Sequence, residues 1–390
     1  MSGRDPLCQS RRFRRGAALT LVFAGVLVTG AATGSFPDPA DSGRGSVPQD
    51  AARATVRPDA VQKAAAEAMA DGKSPMEAAE RAVSRSGDRW GAVYSQGEYQ
   101  EFEEALDGQY TGVGLWARRA GDGRIEVTKV QPGSPAAAAR IRKGDRLRSV
   151  DGTAVDGRPV TEVVALLRGD ALDAPTGTAV RLGLERGTRT WSETLRRARL
   201  STDSVTVRRL SAGVTVIRID AFTKGAGDVV RSAVRQTPAR AGIVLDLRGN
   251  SGGLVTEAVT AASAFLDGGL VATYDVDGEQ RALHAEDGGD TTRPLVALVD
   301  GGTMSAAELL TGALQDRGRA VVVGSRTFGK GSVQMPTRLP DGSVAELTVG
   351  HYRTPSGHTV DGRGITPDLV AGQRALERAE TVLGGLGDPS

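Results

Sequence analysis

The 390-residue chain holds one cysteine and three histidines, and only six of its 49 basic residues are lysines. Cys8 precedes every candidate domain, which excludes a disulfide framework, a CxxC zinc site and a cysteine nucleophile in the folded region. His284, His351 and His358 form no HExxH pattern, so a His-rich metal site has no basis. Each of the six lysines (63, 73, 129, 143, 224, 330) therefore warrants inspection, because arginine stays protonated in a protein whereas lysine can lose its proton. Excess charge is missing too: 49 basic against 47 acidic residues leave +2, which removes any whole-chain argument for nucleic acid.

What is present is ordinary globular material. A hydrophobic fraction of 39% with 52 glycines excludes both a disordered chain and a polytopic membrane protein, and the length suggests two to three domains. Arg11, Arg12, Arg14 and Arg15 precede an uncharged stretch from Gly16 to Gly34. That order fits a secretory signal within residues 1–34 or an uncleaved membrane anchor, and either sends the remainder outward. Residues 35–54 read as a linker, and 55–108 as an N-terminal helical segment broken at Lys73-Ser74-Pro75, where Ser74 caps and Pro75 starts the second helix. These helices would pair with another subunit, giving a homo-oligomer, or pack on the core; the sequence leaves both open.

Residues 109–199 have their own rhythm: Gly112-Val113-Gly114-Leu115 enters a strand, Gly133-Ser134-Pro135 opens an alanine helix, and Gly144-Asp145-Arg146-Leu147 leads to Val150-Asp151-Gly152. This run resembles a PDZ domain. The resemblance implies strand addition, with Gly112, Val113, Gly114 and Leu115 offering backbone N–H groups to a terminal carboxylate. An apolar groove beside the helix near Val160–Leu167 would take the last side chains.

From Gly213 short apolar strands alternate with helices, an α/β layer pattern running over residues 200–375 and leaving 376–390 as a tail. Gly252-Gly253 opens one helix, and Ser305-Ala306-Ala307-Glu308 opens another. S-x-x-E is a capping box, but a hydroxyl at a helix start is also where a nucleophile belongs, with the next N–H able to face an oxyanion. Gly324 to Lys330 mimics the start of a phosphate loop, yet Gly331 replaces the magnesium-holding Ser/Thr and a strand follows, which argues against nucleotide binding.

Asp246-Leu247-Arg248-x-Asn250-x-Gly252-Gly253, Ser305-Ala306-x-Glu308 and Thr327-Phe328-Gly329-Lys330-Gly331-Ser332-Val333-Gln334 together resemble the carboxyl-terminal processing proteases, Ser–Lys peptidases with an embedded PDZ domain. The likeness runs from about Asp88 to Asp368 and includes Thr354-Pro355-Ser356-Gly357 and Gly364-Ile365-Thr366-Pro367-Asp368. It implies a mixed-sheet α+β or α/β peptidase core with strand–helix layers, an inserted β-rich PDZ domain with two helices, and the N-terminal helices. Ser305 would be the nucleophile, Lys330 the base and Gln334 the residue orienting it, with the N–H groups of Ala306 and Gly253 as oxyanion donors. The sequence departs from the commoner S-A-S-A-S-E run by reading Thr303-Met304-Ser305-Ala306-Ala307-Glu308, with Asp300 where Asn is frequent, which bears on substrate fit. No metal or other cofactor is needed; the partners would be protein or peptide C-termini, and a membrane through the N-terminal segment.

A free lysine titrates near ~10.4, so taking a serine proton at neutral pH requires a downward shift of about 3 units, roughly 4 kcal/mol. Burial among apolar groups away from carboxylates would supply it. His351 and His358 read as structural or surface residues, and Asp246, Arg248 and Asn250 as braces of the strand-to-helix turn. The alternatives are a catalytically silent PDZ scaffold, which has no reason to keep Ser305, Lys330 and Gln334 together, and a Ser–Lys amidase or esterase, which tail-dependent turnover would exclude.

Overall fold

A computed structural model describes residues 57–169, 175–210, 213–276 and 279–387. The expected signal or anchor, the linker and Cys8 lie outside the described residues. In chain order the protein opens with α1 (Pro58–Ala70), α2 (Pro75–Ser86), β1 (Ala92–Tyr94) and α3 (Gln96–Leu106). The Ser74 hydroxyl accepts the Glu77 N–H at 3.2 Å, as the sequence anticipates, and Gly87 ends α2 in the left-handed region.

The chain divides into two compact units, one of which takes residues 109–202 together with 100–105. Its elements are β2 (Gln109–Gly112), β3 (Leu115–Arg119), β4 (Ile125–Val130), α4 (Pro135–Ala138), β5 (Arg146–Val150), β6 (Thr153–Ala154), α5 (Val160–Arg168), β7 (Ala179–Arg186), β8 (Arg189–Arg196) and β9 (Ala198–Ser201). Five strands run in the order β3-β4-β5-β7-β8, all antiparallel, with β6 beside β5 and β2 paired separately with β9. Ile125, Val127, Leu147, Val150, Leu182 and Leu184 alternate inward along these strands and pack against Val163 and Leu167 of α5. Strand β3 is left at the sheet edge.

The other unit continues with β10 (Val205–Arg209), β11 (Val214–Ile219), α6 (Ala226–Gln236), β12 (Gly242–Asp246), α7 (Val255–Ala262), β13 (Leu270–Val276), β14 (Glu279–His284), β15 (Leu295–Val299), α8 (Ala306–Asp316), β16 (Val321–Gly324), β17 (Ser332–Arg338), β18 (Val344–Arg353), β19 (Leu369–Val370) and α9 (Ala375–Gly387). Six strands run β10-β11-β12-β15-β16-β19; only the β10–β11 pair is antiparallel. Helices cover both faces of this sheet, which is why β12 and β15 read as continuous apolar runs. Ile243, Leu245, Leu295 and Ala297 face α6, α7 and α8, while Val244, Val296 and Leu298 face α9.

A second, antiparallel sheet carries β1, β18, β13 and β14 in order, with β17 on β18. Its Leu339, Ala345 and Leu347 pack on Val61, Ala65, Ala79 and Val83, so α1 and α2 are seated on this core. Two expectations are corrected. The C-terminal residues read as a tail form α9, whose Ala375, Ala379 and Leu383 recur at i, i+4 and i+8 and are buried. The glycine pair does not itself open α7, which begins at Val255 after Leu254, because Gly253 makes a strand-like bridge to Phe222.

Candidate active site

Ser305 precedes α8 with φ 55° and ψ −119°, one of three described non-glycine residues in the left-handed half of φ space. Such a conformation costs on the order of 1–3 kcal/mol and persists only where surroundings impose it. Here they are explicit. The Ser305 N–H donates to Glu308 Oε2 at 3.0 Å, and the Ser305 carbonyl accepts from the N–H groups of Glu308 and Leu309 at 2.8 and 3.0 Å. The Met304 N–H donates to the Asn250 carbonyl at 2.9 Å, tying the serine to the glycine turn.

That turn is built by its neighbours. Asn250 is fully buried; its Oδ1 accepts the Gly252 N–H at 2.8 Å and its Nδ2 donates to Ile219 at 2.9 Å. Asp246 takes bonds from the Arg248 and Arg218 guanidiniums at 2.7 and 3.2 Å. Burial pushes the Asp246 carboxyl up, but these arginines outweigh it and hold it below the ordinary range. Asp300 Oδ1 accepts from Gly249 and Gly302, and the Thr303 hydroxyl donates to Leu247, so two of the departures from the commoner motif serve as turn braces.

Gly252 requires its lack of a side chain. At φ +99°, a Cβ there would lie 2.9 Å from the Ser305 Cβ and 3.3 Å from the Ala306 nitrogen. Bare backbone therefore borders the serine and the first N–H of α8, a group with no acceptor inside its own helix. The Gly252 N–H is taken by Asn250, which leaves Gly253, next along, as the second expected donor.

Lys330 lies in the loop between β16 and β17, and Glu308 holds this loop as well. Glu308 Oε2 accepts the Lys330 N–H at 2.9 Å, while Oε1 accepts the Gly329 N–H at 2.7 Å and the Thr327 hydroxyl at 2.5 Å. One carboxylate oxygen thus joins the backbones of Ser305 and Lys330. Burial pushes the Glu308 carboxyl up despite these four donors. From β18 the Tyr352 hydroxyl, fully enclosed, spans the same two residues at 3.0 Å from the Ser305 carbonyl and 3.3 Å from the Lys330 carbonyl. Glu308 and Tyr352 were not singled out as site residues by sequence; S-x-x-E reveals only the cap, and nothing in the sequence pattern points to Tyr352.

Burial is the largest influence on the Lys330 amine and lowers its pKa, as required of a base. The expectation of a site away from carboxylates is overturned: Glu346, Asp88 and Asp361 each act to raise it. Gln334 does not show the expected contact with the amine either; its Nε2 donates to the Trp90 carbonyl at 2.5 Å. His351 Nε2 is 3.9 Å from Asp361, and the exposed His358 is 3.8 Å from Asp316.

In the smaller unit, a groove of about 470 Å3 open to solvent is lined by Tyr110, residues 112–117, Val164, Leu167 and Arg168, between the edge strand β3 and α5. The Val113 carbonyl accepts from Ala136 and the Gly114 carbonyl from Gln131, both at 3.0 Å. In trans peptides the N–H points opposite the carbonyl, so the Gly114 and Leu115 N–H groups are directed away from those partners. The Val113 side chain is itself core.

Residues 213–371 match the family described as Peptidase family S41, and residues 126–186 match a PDZ domain. Carboxyl-terminal-processing peptidase 2, chloroplastic, of Arabidopsis thaliana is 32% identical over 331 residues, covering 80% of this chain and 63% of that protein. Carboxy-terminal processing protease CtpA of Bacillus subtilis (strain 168) is 32% identical over 289 residues, covering 73% of this chain and 61% of that protein. The solved photosystem II D1 C-terminal processing protease is 29% identical with a TM-score of 0.51, covering 80% of this chain and 86% of that one. Fold and sequence together define a peptidase S41 region paired with a PDZ domain. More narrowly, the chain is a relative of the carboxyl-terminal processing peptidases, and it spans about three fifths of the length of the curated relatives it matches.

Proposed function

We propose that the chain is an exported serine endopeptidase that binds protein C-terminal tails in its PDZ domain and hydrolyses peptide bonds with Ser305 and Lys330. The observation that carries this reading is the shared Glu308 oxygen, which fixes the nucleophile and base residues to one anchor. Lys330, buried and shifted toward its neutral amine, takes the Ser305 hydroxyl proton as Oγ bonds to the substrate carbonyl carbon. The Ala306 and Gly253 N–H groups receive the oxyanion, and loss of one such donor typically costs about 10²–10³ in rate. The C–N bond then breaks as the lysine ammonium protonates the leaving amine. Water, deprotonated by Lys330, adds to the acyl ester, and Ser305 leaves with that proton.

The tail carboxylate would meet the N–H groups at Gly114 and Leu115, in a loop running from Gly112 through Val113, while the tail adds as a strand to β3. The domain boundaries follow from this reading: 109–199 for the PDZ domain and 200–375 for the peptidase core, to which α9 contributes. Export rests on the basic and then apolar order of residues 11–34, as a cleaved signal or a membrane anchor. Among the described residues no helix is long and apolar enough to cross a membrane.

The test is cleavage of one reporter protein carrying either an apolar or a charged C-terminal tail by wild type, Ser305→Ala and Lys330→Ala. Tail-dependent cleavage lost in both variants is expected. Cleavage surviving in Ser305→Ala would assign the wrong nucleophile, and tail binding without any cleavage would favour a silent scaffold.

A further inference from the structure

Trp90 lies directly against the base. Lys330 Nζ is 5.4 Å from the centroid of the indole ring, within the range of a cation–π contact. The tryptophan is pinned through its backbone: its N–H donates to Asp88 at 3.0 Å, and its carbonyl accepts Gln334 Nε2. Asp88 is anchored in turn to β18, accepting the Thr348 N–H and hydroxyl at 2.9 and 2.8 Å. The Phe328 ring packs at a tilt of 58° with its centroid 5.6 Å away. The indole Nε1 is buried and finds no hydrogen-bond partner among the described residues. The ring is therefore not placed for its N–H; what it presents to Lys330 is its face.

We propose that Trp90 is a positioning residue for the base, its ring face receiving the ammonium that Lys330 becomes on taking the serine proton, and that Gln334 acts on Lys330 through Trp90. This rests on the Ser305–Lys330 reading. A ring quadrupole attracts the ammonium and is nearly indifferent to the neutral amine, so its stabilisation grows as the proton transfers. Burial works against the ammonium before reaction, and the ring face offsets part of that cost as the charge develops. The other charged groups acting on the amine are Glu346 of β18, Asp88 ahead of β1 and Asp361 ahead of β19, all carboxylates that favour its ammonium form. The Arg89 guanidinium carbon also lies 5.4 Å from the same indole centroid, so the ring already carries one permanent cation when Lys330 gains its charge.

Two measurements on the full chain test this. The first needs no turnover: the difference in tryptophan emission between wild type and Trp90→Phe is followed against pH. It should titrate with the midpoint of the acid limb of kcat/KM, and the titration should vanish when both proteins carry Lys330→Met. Persistence of the titration in Lys330→Met overturns the contact. The second is kinetic. Trp90→Leu keeps the site apolar but removes the ring; kcat should fall about 5- to 30-fold with KM within about twofold, and the acid limb should move about 0.5–1 unit toward lower pH. Trp90→Phe should fall between the two, and Gln334→Leu should cost little further in a Trp90→Leu background. An unchanged kcat, or an acid limb moving to higher pH as if the ring only excluded water, refutes the proposal. Activity surviving in Ser305→Ala would instead remove the underlying reading, while the emission titration would still decide whether Trp90 and Lys330 communicate.

Discussion

Replacing Glu308 separates its two roles, as a cap and as the anchor shared by Ser305 and Lys330. Glutamine offers one oxygen and one NH2 group in place of two oxygens. With the nitrogen at the Oε2 position it would face the Ser305 and Lys330 N–H groups, neither of which can accept. At the Oε1 position it would face the Thr327 hydroxyl, which can accept, and the Gly329 N–H, which cannot. The oxygen therefore stays on the Ser305 and Lys330 side, and the principal loss is the Gly329 bond. A bond to a charged group contributes about 1.5–3 kcal/mol, partly offset here because the burial cost of the carboxylate disappears. Glu308→Gln should cost about 2 kcal/mol, a Tm fall of roughly 4–8 °C, while keeping much of its kcat. Glu308→Ala strands three backbone N–H groups and a hydroxyl, at about 1–3 kcal/mol for each orphan. It also frees both reacting residues, and displacement on the order of 1 Å can cost about 10²-fold in rate. Thermal unfolding and single-turnover cleavage would be measured side by side. A Glu308→Ala protein with unchanged Tm, or with kcat within about twofold of wild type, would refute the anchoring argument.

Tyr352→Phe removes only the hydroxyl shared by the Ser305 and Lys330 carbonyls, so kcat should fall about tenfold and stability by about 1 kcal/mol, since the Lys330 carbonyl loses its donor; equal kcat would show that the ring alone matters. Asp290 is pushed up by burial but pulled down further by the Arg293 guanidinium and the N–H groups of Arg293 and Thr292, to about 2. A carboxyl lowered in the fold contributes stability above its unfolded pKa and loses it as pH falls through the folded one. Asp290→Asn should therefore cost roughly 2 kcal/mol at pH 7, with the gap to wild type closing as pH falls from about 4 to 2 in acid-unfolding curves; a constant gap would contradict this. For the groove, Gly114 is a poor target, because a Cβ at its φ of +80° would come within 2.2 Å of Ser134 and break the loop rather than fill the site. Val164→Trp on α5 fills the groove instead, and should abolish the preference for one tail over another; a folded variant that keeps the preference would place tail binding elsewhere.

How much of this was legible in the sequence depends on the reach of each contact. Glycines beside Ser305, apolar strands and the cap at Ser74 are local facts, and local patterns carry them. The S-x-x-E at Ser305 was legible only as a cap because its remaining bonds go to Thr327, Gly329 and Lys330, 19 to 22 positions away. Lys330 could be chosen by chemistry, since an arginine could not serve, but not its surroundings. Asp88, Glu346 and Asp361 come from three separate segments, and no local pattern brings them to one lysine. Gln334 meets Trp90 across 244 positions, a pairing no spacing rule could reveal. The C-terminal helix is a different case: Ala375, Ala379 and Leu383 have the helical period, and small alanines beside glycines mask an amphipathic face that the sheet nevertheless buries. The nucleophile and base are thus readable as residue types at motif positions, whereas their working environment is a product of topology. That is why substitutions at Trp90 and Glu308, rather than at Ser305 or Lys330 alone, distinguish a correctly built site from a correctly spelled one.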